Sequence, residues 1–308
     1  MNLPFELSLH NYLCGQLLDL PNIPDDFRPE FVILVRRLSE KSRLYPECLV
    51  LKDVKKYGDR PKAGGTFGDV WKGVIQDVVV AIKVPRIFTE SNMDKILKEF
   101  SAETTIWRQL VHPNILPFYG VFYSDELCSQ ICLVSAWMEA GNITEYLGTH
   151  PGAARMPLVG QILTLMYVLL MSPLEALDVA RGLDYLHTAK PKVIHGDLKG
   201  ASMIKYRLDV TLLNTLQANI MISSSGRACL ADFGLASIRD SNIRHFTSAS
   251  KARTVGTTRW QAPELLDFDS PYADDFGINT PASDIWAFGC VCYEVGTSGT
   301  IQISGYRC

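Results

Sequence analysis

The sequence predicts an α+β fold, on two observations. From Pro61 onward the pattern is that of strands. A glycine-rich turn, Ala63-Gly64-Gly65-Thr66-Phe67-Gly68-Asp69-Val70, is followed by the β-branched run Val78-Val79-Val80-Ala81-Ile82-Lys83-Val84. Apolar residues at helical spacing flank these strands, at Phe31, Leu34, Val35 and Leu38 before them and at Ile96, Phe100, Trp107 and Leu110 after them.

Composition supports a packed domain. The 308 residues are 47% hydrophobic and 20% charged, which suits one large or two medium domains and is unlike a disordered chain. A net charge of −3 gives no general attraction to nucleic acid or anionic lipid. The first basic residue is Arg28, after acids at Glu6 and Asp19, so the N-terminus does not read as a signal peptide. Eight cysteines without a C-x-x-C pair read as reduced thiols in a cytoplasmic or nuclear protein, and zinc is not expected.

Taken in order, residues 1–59 form a helical N-terminal extension opened by Pro29, with no chemistry of its own. The glycines of the next turn let backbone N–H groups approach phosphate oxygens, although an ordinary hairpin has the same pattern. Lys83 ends a buried strand, where an isolated ammonium costs several kcal/mol by order of magnitude and needs an anion. The alternative is an edge strand with Lys83 in water. Glu103 argues for burial, because it occupies the apolar stripe of the following helix and is placed to pair with Lys83. His112 is read as structural, and Ile131–Met138 as a buried strand running into a linker.

Residues 156–174 carry no charge. Pro157 and Pro173 bracket about fifteen helical residues, or ~22 Å, short of the ~30 Å hydrocarbon core. No membrane span is expected. Beyond them, Val193-Ile194-His195-Gly196-Asp197-Leu198-Lys199-Gly200 and Ala231-Asp232-Phe233-Gly234 place two acids at strand–loop junctions. One carboxylate can bind Mg²⁺, the other can orient a hydroxyl, and Lys199 can balance charge on a transferred phosphoryl group.

These motifs, in this order, resemble the eukaryotic protein kinases. Thr257-Thr258-Arg259-Trp260 before Ala262-Pro263-Glu264 is most similar to the tyrosine-kinase-like group. The resemblance implies a two-lobed fold: a small antiparallel β-sheet lobe with one key helix at about 60–135, and a mainly helical large lobe at about 136–295. It further implies ATP and Mg²⁺ as cofactors and a protein partner with a Ser or Thr acceptor, favoured by Lys199 two residues after Asp197. Nucleic acid is not expected as a partner, and the oligomeric state is not readable.

By this resemblance Ala63, Gly64, Gly65, Thr66, Phe67, Gly68, Val70, Ala81, Lys83, Ser135, Trp137 and Met138 contact ATP, with Glu103 bracing Lys83. Ser135 controls access to the rear pocket, and Asn219 and Asp232 hold Mg²⁺. Asp197 orients and deprotonates the acceptor hydroxyl, Lys199 stabilises the transferred group, and His195 is a support rather than a base. The Asp in Ser283-Asp284-Ile285-Trp286 braces the catalytic loop.

Departures from the family pattern are equally specific. Ala63 replaces the first loop glycine. Gly196 replaces an Arg that pairs with activation-loop phosphate, which weakens the case for switching at Thr247, Ser248, Ser250 or Thr254. The metal-binding Asn is expected five residues after Asp197, where Ser202 stands; Asn219 comes seventeen later, and Asn214 is a poorer fit. Lengthening that loop costs only ~1–1.5 kcal/mol in closure entropy, but leaves open whether Asp197 and Asn219 meet. Excising 160–176 or 201–217 restores a family-like join. Both segments are seventeen residues long and keep the reading frame, as retained introns would. The tail 296–308 matches nothing, so the large lobe reads as incomplete and Glu264 as lacking its Arg. A catalytically impaired pseudokinase-like ATP-binding module, or a truncated kinase fragment, is the alternative reading.

Overall fold

The computed structural model describes residues 28–42, 47–64, 68–85, 103–124, 130–149, 173–200, 219–233, 236–239, 258–266 and 279–297, with Ser8. Gly65, Thr66, Phe67, Ile96, Phe100, Ser202, Asn214, the serines and threonines of 247–254, and nearly all of both inserts lie outside them. The chain divides into two compact units, the first essentially Met1–Trp137 and the second essentially Met138–Cys308, with short exchanges at 188–193 and 238–246.

The first unit opens with α1 (Arg28–Ser42). Its buried residues are Val32 and Val35, whereas Leu34 is 47% exposed. The apolar face is thus rotated from the expected stripe, because Val32 takes the core position. The sheet follows, with β1 (Lys55–Tyr57), β2 (Ala63–Gly64), β3 (Gly68–Ile75), β4 (Val78–Pro85), β5 (Phe118–Ser124) and β6 (Gln130–Ala136) in the order β1-β3-β4-β6-β5, and β2 on β3. Strands β3 and β4 are joined by Gln76-Asp77, both at positive φ (45° and 68°). That is the two-residue geometry whose twist matches a hairpin.

Strand β4 lies between β3 and β6, so Lys83 is not on an edge strand. Val80, Ile82 and Val84 project to one side and join Val54, Cys132 and Val134 in a core cluster; Ala81 and Lys83 therefore project to the other. Residues 103–107 are helical, and Glu103, Ile106, Trp107 and, just beyond, Leu110 are all buried. Trp107 is anchored by its Nε1–H donating to Leu116 O at 2.7 Å and by stacking on Phe118. His112 accepts the Asn114 N–H at Nδ1, fixing the turn that follows.

In the second unit, Asn142 caps α2 (Ile143–Thr149): its Oδ1 accepts the Glu145 N–H, and Glu145 Oε2 accepts the Asn142 N–H. Helix α3 (Pro173–Thr188) starts on Pro173, inside the last four residues of the proposed insert, where proline suits a first turn. It buries Val179, Leu183 and Leu186 at i, i+4 and i+7. After β7 (Lys192–Ile194) comes the hairpin β8 (Ile220–Ile222) and β9 (Ala228–Leu230); β10 (Ser237–Arg239) follows. Thr280 caps α4 (Pro281–Thr297), accepting the Ser283 N–H at Oγ1 and donating its own N–H to Ser283 Oγ. Ile285, Trp286 and Tyr293 of α4 are about half exposed. No helix among the described residues is long and apolar enough to cross a membrane.

Candidate active site

The first unit contributes a sheet face. Directly opposed residues on neighbouring strands share a face, and the register opposes Ala63 to Val70, Val70 to Lys83, and Ala81 to Ser135. Five of the expected ATP contacts therefore lie on the side of the sheet away from the apolar cluster. Lys83 Nζ stands 3.2 Å from Glu103 Oε1, with Glu103 only 3% exposed. The strand places the ammonium and the helical turn places the carboxylate.

Gly64 pairs with Asp69 at the base of the glycine-rich turn. Gly68 has a different role from the one its motif suggests. A Cβ there would collide with the backbone carbonyl of Val84 on β4, so close strand approach demands glycine at this position. Trp137, half-buried, lies under the Lys72 ammonium, 5.0 Å from the ring centroid. Lys72 opposes Ala81 and so belongs to the same face; sequence reasoning passed over it, although it falls two residues after Val70. Met138 is half-buried.

The second unit gathers the polar residues after β7. Asp197 and Lys199 are buried, and Lys199 Nζ lies 2.7 Å from Asp197 Oδ2. Asn219 is 1% exposed, and its Nδ2 donates to Asp197 O at 2.6 Å and to Asp197 Oδ2 at 3.0 Å. The twenty-two-residue separation therefore does not part them. The hairpin explains why: the Asn219 N–H bonds Lys199 O, and the Ala231 N–H bonds Asn219 O. Asn219 enters β8 and Asp232 follows β9, so antiparallel pairing sets both.

Asp197 has its carboxyl pushed above the ordinary range, chiefly by burial. Lys199 pulls it back by charge and hydrogen bonding, and the nearby Asp232 charge adds to the rise. Asp232 itself sits at φ 63°, a left-handed conformation that Asp tolerates better than most residues.

Two supports hold the loop. His195 is fully buried; its Nε2 lies 3.1 Å from Ala231 O and its Nδ1 3.3 Å from the Asp197 N. Nδ1 can accept only in the neutral ring, which leaves Nε2–H to donate. Asp284, in the first turn of α4, accepts the N–H of His195 and of Gly196, each at 2.9 Å, and lies 2.8 Å from His187 Nε2. Glu264 is exposed, so it needs no Arg to offset burial.

The oxygen donors beside Asp197 suit Mg²⁺. The Oδ1 of Asp197, in a residue 5% exposed, has no hydrogen-bond partner among the described residues. Asn219 turns its amide nitrogen to Asp197, which leaves its carbonyl oxygen for a cation. Hard oxygen donors on Asn219 and Asp232 beside an anionic Asp197 fit a hard divalent ion.

Residues 61–210 match the family described as protein tyrosine and serine/threonine kinase, and residues 216–303 match the protein kinase domain. Serine/threonine-protein kinase STY46 of Arabidopsis thaliana is 28% identical over 239 residues, covering 76% of this chain and 32% of that protein. Serine/threonine/tyrosine-protein kinase HT1 of the same plant is 28% identical, covering 77% and 49%. Activin receptor type-1 of Gallus gallus is 31% identical over 238 residues, covering 75% and 39%. The chain thus spans between about a third and a half of the length of these relatives.

Proposed function

The chain belongs to the eukaryotic protein kinases, and from that premise we propose that it transfers the γ-phosphate of ATP to a Ser or Thr hydroxyl of a protein. The observation that carries this reading is the direct bonding of Asn219 to Asp197 across the inserted segment. The pattern that had argued against activity is closed in space.

The sheet face of Ala63, Val70, Ala81 and Ser135, with Trp137 and Met138 after it, offers an apolar seat for adenine. Lys83, held by Glu103, meets the α- and β-phosphates. Asn219 and Asp232 would hold Mg²⁺, which when bound neutralises charge on the phosphate oxygens. Asp197 presents its carboxylate to the acceptor hydroxyl, and the raised affinity for a proton suits a carboxylate that takes one. Lys199 faces the developing charge, so transfer proceeds by positioning and electrostatics rather than covalent catalysis. His195, with both ring nitrogens engaged by backbone atoms, serves as a support. A Thr in the acceptor is equivalent to Ser here, and Lys199 supports both over Tyr.

The experiment is phosphate incorporation by the purified chain from γ-labelled ATP with Mg²⁺ into a protein acceptor, compared with Asp197→Asn. Incorporation that is lost in the variant, with label in phosphoserine or phosphothreonine, supports the proposal. Equal incorporation by both proteins, or none by either alongside ATP binding, refutes it.

A further inference from the structure

A small cavity of ≈ 20 Å³ in the second unit lies beside Asp197, bounded also by Gly196, Trp260, Gln261, Asn279 and Asp284. Two of its lining residues each bury a polar atom that has no hydrogen-bond partner among the described residues: Asp197 at Oδ1 and Trp260 at the indole Nε1. Both side chains are nine-tenths or more buried, each residue being 5% exposed. One atom is an acceptor and the other a donor, so they are complementary, yet they do not bond each other.

Size and chemistry then restrict what fits. A single water needs roughly 10–15 Å³ and two to four polar partners. The cavity meets the first condition. It meets the second through the Asp197 acceptor and the Trp260 donor. Asn279 adds a third: its Nδ2 donates to Gly196 O at 3.2 Å, leaving its carbonyl oxygen available. Two unpaired buried polar atoms belong to residues lining this cavity, and buried polar groups are ordinarily paired by protein or ordered water. Leaving both orphans dry would cost desolvation of two buried groups, the more so for a carboxylate.

We propose that one ordered water occupies this cavity, accepting from Trp260 Nε1–H and donating to Asp197 Oδ1. Trp260 ends the short turn Thr258–Trp260 that leads into Ala262-Pro263-Glu264. The water makes that turn a ruler for the carboxylate, and Trp260 a positioning residue acting through solvent. Gly196, whose φ of 77° favours a residue without Cβ, lines the same cavity. Only the consequence for catalysis rests on reading Asp197 as the carboxylate that orients the acceptor; the water itself does not.

The test is hydration of the indole proton in solution. The chain holds five tryptophans, so ¹⁵N-tryptophan labelling gives a sparse spectrum in which Trp260→Phe assigns the signal. A cross-peak from the buried Trp260 N–H to a long-lived water is expected, and it should vanish in Asp197→Leu. No cross-peak, or one indifferent to Asp197→Leu, overturns the proposal. Should Asp197→Leu fail to fold, a crystal structure of the unaltered chain decides: density within hydrogen-bond reach of both atoms supports the water, and its absence ends it. For the positioning role, Trp260→Phe keeps the ring and should slow phosphate transfer roughly threefold to tenfold, the effect of one neutral hydrogen bond, with KM for ATP unchanged. An unchanged rate overturns that role, whereas no transfer by either protein counts against the kinase reading alone.

Discussion

Replacing Asp284 by Asn should loosen the catalytic loop from beneath, at a cost set by three contacts. One carboxylate oxygen accepts the His195 N–H at 2.9 Å and faces His187 Nε2 at 2.8 Å, and the other accepts the Gly196 N–H at 2.9 Å. Asparagine keeps the shape but has a single acceptor oxygen. Its amide nitrogen must then face a backbone N–H, either that of Gly196 or that of His195, in a site where Asp284 is 1% exposed. Losing one hydrogen bond to a charged group costs about 1.5–3 kcal/mol, and the remaining bonds weaken with the charge, so a total near 3 kcal/mol is expected. In urea, with a slope of about 1–3 kcal/mol per molar, the unfolding midpoint falls by roughly 1–3 M. Amide hydrogen exchange at His195 and Gly196 should accelerate more than exchange within β8 and β9, because the loss is local. A variant within about 0.5 kcal/mol of the parent, with unchanged exchange at Gly196, would show that Asp284 does not hold this loop.

Other perturbations follow from the same structure. Lys83→Met deprives the buried Glu103 of its ammonium partner and should cost ~3 kcal/mol, while adding Glu103→Leu should recover most of it; a double mutant no more stable than the single one refutes a strong pairing. Gly68→Ala forces a Cβ onto the Val84 carbonyl and should destabilise the first unit by more than ~1 kcal/mol, read as a lowered melting temperature even without nucleotide. An unchanged melting temperature would show that β4 yields. The thiols of Cys132 and Cys292 are each pushed by burial from 9.0 up to about 12. Between those values the unfolded chain loses protons that the folded chain keeps, so stability is full below pH 9 and falls above it, by about 1.4 kcal/mol per thiol per pH unit. Urea midpoints measured at pH 8 and pH 10 check this, and Cys132→Ala should flatten the slope.

Much of the first unit was legible because its signals are local. Alternation along 78–84 fixes which residues face the core, and a carboxylate inside an apolar stripe announces a buried partner. The stripe of α1 misled at Leu34, which is exposed while Val32 is buried, because packing rather than periodicity sets the rotation of a helix. The reason for Gly68 was hidden for a similar cause: it depends on which carbonyl of β4 lies opposite, a matter of register that no motif records. In the second unit, loop entropy could say that closing the segment before Asn219 was affordable but not where it would close. The deciding bonds, from Asn219 to Lys199 and to Ala231, connect positions distant in sequence. Trp260 was legible only as part of a family motif, because its place beside Asp197 arises from a cavity wall shared by three separate segments.

The β8–β9 hairpin has a practical consequence. Its rungs, Ile220 with Leu230, Met221 with Cys229 and Ile222 with Ala228, set Asn219 and Asp232 at neighbouring strand ends, and Asn219 bonds back to Lys199 and Asp197 ahead of the inserted segment. The bonds that seat Asn219 are thus all made by residues on either side of the segment between Gly200 and Asn219. Position 201–217 is accordingly the place to graft a fluorophore, an affinity tag or a small folded reporter, with the expectation that the graft leaves Asn219 bonded to Asp197.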